Sequence, residues 1–182
     1  MHLKNALQKY PRLIVRALVH PTGIFQQIRQ ERAGTVLAYG LVIVLFNLIM
    51  TVLAAVSGLT PELMLPMAIA SVLTVCIGIF WLHLFVYGLG GRNGVGTTCR
   101  VAVVGLTPTA LLGWIPGVAL VGFLWSVLLL YLGLQELQDL SKARAVLALV
   151  LVFGLPLLLL ALLAAAPGFS VAWASPGRVT WV

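Results

Sequence analysis

The sequence is short of charge, and above all of acidic residues. Only 8% of its 182 residues are charged, and four are Asp or Glu. A soluble domain carries about a quarter charged residues, whereas 62% of this chain is hydrophobic. These proportions exclude a soluble globular fold. The two cysteines, Cys76 and Cys99, are too few for a disulfide framework or a four-ligand zinc site.

Residue patterns that catalysis needs are equally scarce. The four carboxylates lie between or at the ends of the long apolar runs, and no Ser-His-Asp set, HExxH motif or Walker lysine occurs. The glycine-rich stretch 88–96 has the composition of a phosphate-binding loop. Because it joins two apolar runs without a preceding strand, a cytoplasmic turn is the better interpretation. The sequence therefore predicts no enzyme activity and no cofactor.

Long apolar runs are what the sequence has in abundance, and each exceeds the about 20 residues that cross a bilayer. The 35-residue uncharged run 101–135 would be about 50 Å long as one helix. The segment 113–117, which contains Pro116, predicts a reversal that divides this run in two. The sequence thus predicts an all-α polytopic membrane protein, with five transmembrane helices in residues 33–57, 63–89, 97–115, 117–134 and 145–166.

Lysine and arginine are unevenly distributed among the segments that join these spans. Six of the eleven lie in residues 1–32, two in 90–100 and two in 135–144, which leaves only Arg178 in the tail 167–182. Basic residues favour the cytoplasmic side of a membrane. The split of ten to one predicts a cytoplasmic N-terminus and an extracytoplasmic C-terminal tail.

Residues 1–32 also have a pattern of their own. An apolar stripe at helical spacing runs through the first 18 residues, and four basic side chains lie off it: Lys4, Lys9, Arg12 and Arg16. Pro11 is expected to kink or restart this helix, and a second short helix is predicted to start at Pro21. The pattern predicts an interfacial amphipathic helix whose basic face contacts anionic lipid headgroups. The alternative is that these cations serve membrane orientation alone.

His83 is the only ionisable side chain well inside a predicted span, about 10 Å along the helix from Gly90. Ionisable groups at such depth are candidates for proton or substrate handling. Because no acidic partner is predicted at depth, a structural role in polar packing is favoured. The other polar residues at depth are of kinds that join helices: Asn47, Thr51, Ser71, Thr74 and Ser126.

A row of small residues recurs at every fourth position from the third span into the turn: Gly105, Thr109, Gly113 and Gly117. Such a row lets a second helix approach closely. Pro108 lies beside the row and leaves a carbonyl near Val104 unpaired, which Thr107 or a neighbour should satisfy. The sequence therefore predicts either a hinge at Pro108 or a docking groove, with tight packing of the third and fourth spans as the favoured alternative.

Three short patterns follow one another along the chain. They are His20-Pro21-x-x-x-Phe25-Gln26-Gln27-Ile28 before Glu31, Thr107-Pro108 with a later Pro116, and Tyr131-Leu132-Gly133-Leu134 followed by Ser141-Lys142-Ala143-Arg144-Ala145. Together they resemble the bacterial inner-membrane branch of the Yip1-domain family. The resemblance implies a five-span protein of the bacterial inner (plasma) membrane. Eukaryotic members of the wider family associate with small GTPases and act in vesicle traffic. Their long acidic and aromatic N-terminal region is missing here, so no GTPase partner is implied.

The function predicted from the sequence is that of a non-enzymatic membrane scaffold or accessory subunit that acts through helix–helix and lipid contacts. Its expected partners are anionic lipids and a membrane protein or a second copy of the chain, with no nucleic acid. The alternative is a small transporter or channel subunit that uses His83 and the polar residues of the first two spans. A transporter needs polar residues that converge on one water-filled path, whereas a scaffold needs none.

Overall fold

The computed structural model describes residues 2–55, 61–115 and 117–165. These residues form α1 (His2–Val19), α2 (Pro21–Gln30), α3 (Ala33–Ala55), α4 (Pro61–Gly88), α5 (Gly94–Gly105), α6 (Thr107–Leu112), α7 (Ala119–Gln138) and α8 (Lys142–Ala165). No strand occurs in the described ranges, so the prediction of an all-α fold is confirmed. The predicted tail 167–182 and Pro116 of the predicted reversal lie outside these ranges.

Three helical stretches of the described chain are long and apolar enough to cross a membrane: Gly94–Leu112, which combines α5 and α6, and the whole of α7 and α8. Five were predicted. The apolar segments Gly34–Met50 in α3 and Val72–Gly88 in α4 have at most 17 residues, which extend about 25 Å against a hydrocarbon core of about 30 Å. The helices that contain them are longer, with 23 residues in α3 and 28 in α4.

The predicted third span is divided into two helices at Leu106, where α5 ends and α6 begins. Pro108 lies in the first turn of α6, where the missing N–H of proline costs least. The Thr107 hydroxyl donates to the carbonyl of Val103 at 3.0 Å and accepts from the Tyr39 hydroxyl of α3 at 2.9 Å. Thr107 therefore pairs with the Val103 carbonyl beside the break. The sequence predicted that Thr107 would satisfy an unpaired carbonyl near Val104, one residue further along.

The two N-terminal helices pack against the bundle through their apolar faces. Helix α1 continues through Pro11, so the expected restart does not occur. Leu13 and Ala17 of α1 are buried, as are Ile24, Phe25 and Ile28 of α2. The Phe25 ring lies so close to Gly133 of α7 that a Cβ there would come within 2.7 Å of it. Protein, rather than the membrane interface, thus covers part of the apolar stripe of α1.

Side chains of the bundle donate to the C-terminal carbonyls of both N-terminal helices. The indole N–H of Trp125 donates to the carbonyl of Ala17 at 3.1 Å, four residues before Pro21, which has no N–H to offer. Arg100 NH1 donates to the carbonyls of Ile28 at 2.9 Å and Arg29 at 3.3 Å. Helix ends leave such carbonyls without an internal partner, so these bonds hold α1 and α2 on the bundle.

A second tryptophan, Trp81 of α4, donates to an unpaired backbone carbonyl inside α8. Pro156 lies within this helix and cannot donate to the carbonyl of Val152, four residues before it. The indole N–H of Trp81, on α4, donates to that carbonyl at 3.2 Å. The proline therefore creates an acceptor in α8, and the tryptophan uses it to join α4 to α8.

We expect Trp81→Phe to destabilise the protein by about 1 kcal/mol, the scale of hydrogen bonds between membrane helices. In a Pro156→Ala background the same substitution should cost almost nothing, because the alanine N–H returns to Val152. The free energy of unfolding of the four variants in mixed micelles measures this coupling. Equal costs of Trp81→Phe in both backgrounds would contradict the pairing.

Candidate functional site

Four polar residues from three helices and one loop meet at one end of the bundle, and we call them the polar cluster: His83 of α4, Asn93 of the α4–α5 loop, Thr98 of α5 and Gln138 of α7. The Thr98 Oγ1 atom lies 2.8 Å from His83 Nδ1 and 2.8 Å from Gln138 Nε2. Thr98 and Gln138 are almost completely buried, with 0% and 2% of their surface exposed. The cluster thus joins α4, α5 and α7 through polar atoms inside the bundle.

The hydrogen-bond partners of Gln138 fix the orientation of its amide. Its Nε2 atom donates to Thr98 and to the Gly94 carbonyl at 3.2 Å, and its Oε1 atom accepts from the Asn93 backbone N–H at 3.2 Å. Since the Thr98 oxygen accepts from Gln138, the threonine hydroxyl can donate to Nδ1 of a neutral His83. In this assignment each bond among His83, Thr98 and Gln138 joins a donor to an acceptor.

Asn93 fastens the glycine-rich loop to the end of α7. Its side-chain amide donates to the Leu137 carbonyl and to Asp139 Oδ2, each at 2.7 Å. Asp139 ends α7 in a left-handed conformation with φ 54°, which is common just after a helix, and the N–H groups of Asp139 and Leu140 both donate to the Leu134 carbonyl. The glycine-rich stretch 88–96, predicted to be a turn, is therefore bound to the end of α7 through the Asn93 and Asp139 side chains. The sequence analysis did not identify this contact.

The chemistry of the polar cluster is that of a structural link. Its only titratable member is His83, and Asp139 contacts the cluster through the Asn93 amide. Within the described ranges no three His, Cys, Asp or Glu side chains are placed to hold a metal ion, and no buried side-chain nitrogen or oxygen lacks a partner. The described part of the site offers hydrogen bonds between helices rather than a reactive group facing a substrate.

Two half-open cavities lie along the contact between α3 and α5. The first, here called the apolar cavity, has a volume of about 210 Å³, and its lining includes Gly40, Val44, Asn47, Val75, Val103 and Leu106. The second, here called the polar cavity, has a volume of about 290 Å³, and its lining includes Val36, Leu37, Asn93, Thr97, Cys99 and Arg100. His83 lines neither of them.

The structure places two members of the predicted small-residue row at a helix crossing. A Cβ on Gly105 would come within 2.6 Å of the Leu130 side chain of α7. The N–H of Thr109 donates to Ser126 Oγ at 3.0 Å, and the two hydroxyl oxygens lie 2.8 Å apart. A Cβ on Gly113 would meet only Thr109, and one on Gly117 would meet no atom. Gly117 instead has φ +84°, which the turn into α7 requires.

Helix α7 carries matching small residues, of which the sequence analysis named Ser126 as a polar residue at depth but missed Gly122. A Cβ on Gly122 would lie 2.9 Å from the Leu112 Cβ and 3.0 Å from the Pro108 carbonyl oxygen. Gly122 and Ser126 are four residues apart, which is the spacing that predicted the row on α5 and α6. That spacing could have revealed them, whereas Gln138 and Arg100 give no comparable signal because their partners are distant in sequence.

The predicted lipid-contacting residues fall in two groups. Arg12 and Arg16 are exposed on α1, and Arg16 donates to the Gln27 side chain of α2. The side chains of Lys4 and Lys9 lie outside the described residues. Pro108, the predicted hinge, is buried at the start of α6.

Comparison with known families identifies the chain. The family model for the Yip1 domain matches residues 15–165, which include most of the sequence. The chain therefore belongs to the Yip1 domain family and is a membrane protein. Comparison with curated proteins and with solved structures gives no match.

We expect Gln138→Leu to lower the free energy of unfolding by about 2 kcal/mol or more, because it leaves the buried partners of the amide without a hydrogen bond. Gln135→Leu is the matched control on the same helix. Gln135 donates only to Tyr131 within α7, so its loss should cost less than about 0.5 kcal/mol. Denaturant titration of both variants in micelles measures the difference, and similar costs would show that the polar cluster adds no stability.

Proposed function

We propose that this Yip1-domain protein is a non-enzymatic scaffold or accessory subunit of the bacterial inner membrane, which acts through contacts with other membrane helices and with lipids. The observation that carries the proposal is the pairing of the polar groups with one another. The polar cluster, the Tyr39–Thr107 pair and the Thr109–Ser126 pair each join two or more helices. Polar residues used in this way stabilise a bundle and leave no described group directed at a substrate.

The second half of α8 provides a surface for helix contacts. Residues 155–165 are exposed around the whole circumference of the helix, and Leu157, Leu160 and Leu162 each expose about 60% of their surface. An apolar helix exposed on all sides is stable only in lipid or against another apolar helix. We propose that lipid or a membrane-protein partner, including a second copy of the chain, covers this segment.

The proposed topology keeps the five-span threading. In this threading α3 and α4 also cross the bilayer, in addition to the three stretches that have the length and composition to do so. Their total lengths of 23 and 28 residues exceed the about 20 residues that a crossing helix needs. With five crossings, the ten basic residues before the tail lie on the cytoplasmic side, where Lys4, Lys9, Arg12 and Arg16 would meet anionic headgroups. The C-terminal tail would then be periplasmic.

The transporter alternative has less support. His83, its central residue, is bonded to Thr98 and lines neither the polar nor the apolar cavity. Asn47 does line the apolar cavity, but its amide donates to the Ala110 carbonyl at 3.3 Å, in the last turn of α6. Both residues hold helices together instead of forming a polar path.

Reporter fusions test the topology. Fusions within residues 1–32, 92–100 and 136–144 should report a cytoplasmic location, and a fusion at residue 182 should report a periplasmic one, because of the ten-to-one split of basic residues. A cytoplasmic C-terminus would leave an even number of crossings and overturn the five-span threading.

Substitution of His83 tests the function. His83→Asn should preserve assembly and any associated phenotype, since the asparagine amide can still pair with Thr98 without titrating. The measurements are the yield and monodispersity of the purified protein, together with pH-dependent ion or solute flux in proteoliposomes. A His83→Asn protein that assembles normally but loses such a flux would replace the scaffold with the transporter.

A further inference from the structure

The polar and apolar cavities lie on the same two helices, one helical turn apart. On α3, Val36 and Leu37 line the polar cavity, and Gly40 and Val44 line the apolar one. On α5 the lining passes from Arg100 to Val103. Residues three or four apart share a helix face, so the linings of the two cavities follow each other along the α3–α5 contact, polar at one end and apolar at the other. Together the two cavities are called the groove.

We propose that this groove binds one anionic phospholipid, with the phosphate in the polar cavity and an acyl chain in the apolar cavity. The proposal rests on the membrane placement proposed above and adds a specific lipid site to it. The site differs from the general headgroup contact expected of α1, because its residues belong to α3, α4, α5, α6 and the α4–α5 loop.

Charge at the polar end favours an anion. Arg100 lines the polar cavity, and no acidic residue does. The NH1 atom of Arg100 is directed to the end of α2, but a guanidinium has five N–H donors in a planar fork, so Arg100 can bind a phosphate while it holds α2. The Thr97 hydroxyl also lies in the lining but donates to the Asn93 carbonyl at 2.6 Å, so the guanidinium is the donor available to an anion. Arginine in this arrangement suits the several oxygens of a phosphate.

The surroundings of the polar cavity are also basic. Arg32 lies one turn before Val36 on the same side of the chain, and its carbonyl accepts from the Val36 N–H. Arg92 directly precedes Asn93 in the lining. Two carboxylates lie nearby as well, because Glu31 precedes Arg32 and Asp139 accepts from the Asn93 amide. With Arg100, the three arginines exceed these two carboxylates by one charge. A headgroup with net negative charge is therefore favoured over a zwitterionic one.

The apolar end suits a hydrocarbon chain. Branched aliphatic side chains from α3, α4 and α5 form most of its lining, and Asn47, its most polar member, is already bonded to Ala110. The cavity is half open and lies between helices of a membrane protein, so the chain that enters it comes from the surrounding bilayer. Water would find few hydrogen-bond partners there.

Native mass spectrometry of the full chain in mild detergent tests the site. With phosphatidylglycerol and phosphatidylcholine of identical acyl chains, the wild-type protein should retain one phosphatidylglycerol with about tenfold higher affinity. Arg100→Gln should lower this affinity about tenfold, whereas Lys142→Gln, at the exposed start of α8 and outside the lining, should change it less than twofold. Equal retention of the two lipids, or equal effects of the Arg100 and Lys142 variants, would overturn the proposal.

A second pair of variants tests the apolar end and leaves the Arg100–α2 contact intact. Val44→Trp should fill the apolar cavity and reduce lipid retention at least fivefold, and Leu41→Trp, on the exposed side of α3, should leave it unchanged. Inorganic phosphate at the lipid concentration should not displace phosphatidylglycerol. Displacement by phosphate, or normal retention in Val44→Trp, would show that no acyl chain enters the groove. Correct topology and assembly without lipid retention would overturn the site alone and leave the proposed function standing.

Discussion

A backbone carbonyl without a helical partner is costly wherever water cannot reach it, and much of this structure follows from that constraint. Pro156 deprives the Val152 carbonyl of its N–H donor inside α8, and Ala17 lies in the last turn of α1, where carbonyls have no partner within the helix. In both cases a tryptophan from another helix donates instead, Trp81 to Val152 and Trp125 to Ala17. These two carbonyls therefore mark contacts of α4 with α8 and of α7 with α1.

The same constraint explains the polar residues at the interrupted third span. The break at Leu106 leaves the first N–H groups of α6 without internal partners, and Ser126 accepts from Thr109. At the other end of α6, Asn47 donates to the Ala110 carbonyl and the indole of Trp114 to the Leu111 carbonyl. A short helix with so few internal bonds is held in place by α3 and α7, and Pro108 is buried in this packing.

The fold class and the helix order could be predicted from the sequence because long apolar runs and basic loops are local patterns. The close contact that Gly105 and Thr109 make with another helix could also be predicted from the sequence, since small residues at every fourth position indicate close packing whatever the partner. Gly113 and Gly117 belong to the same pattern but serve the turn, because spacing alone cannot show where a helix ends.

The polar cluster could not be predicted from the sequence in the same way. His83, Asn93, Thr98 and Gln138 come from segments up to 55 residues apart, so no periodicity marks them as neighbours. Only His83 was singled out, and its partner Thr98 was identified by the fold. The docking of α1 onto the bundle was missed for a related reason: an amphipathic pattern shows which face is apolar, but protein and membrane interface can both cover that face.

The bond between Trp125 and Ala17 also has a consequence for biosynthesis. Its two residues are 108 positions apart, so Trp125 leaves the ribosome roughly 5–20 s after Ala17 at ordinary rates of translation. During that interval α7 is not yet available to α1, so the segments made before Trp125, or the membrane surface, must cover the apolar stripe of α1. The contact between α1 and α7 therefore forms late, after most of the bundle has been synthesised.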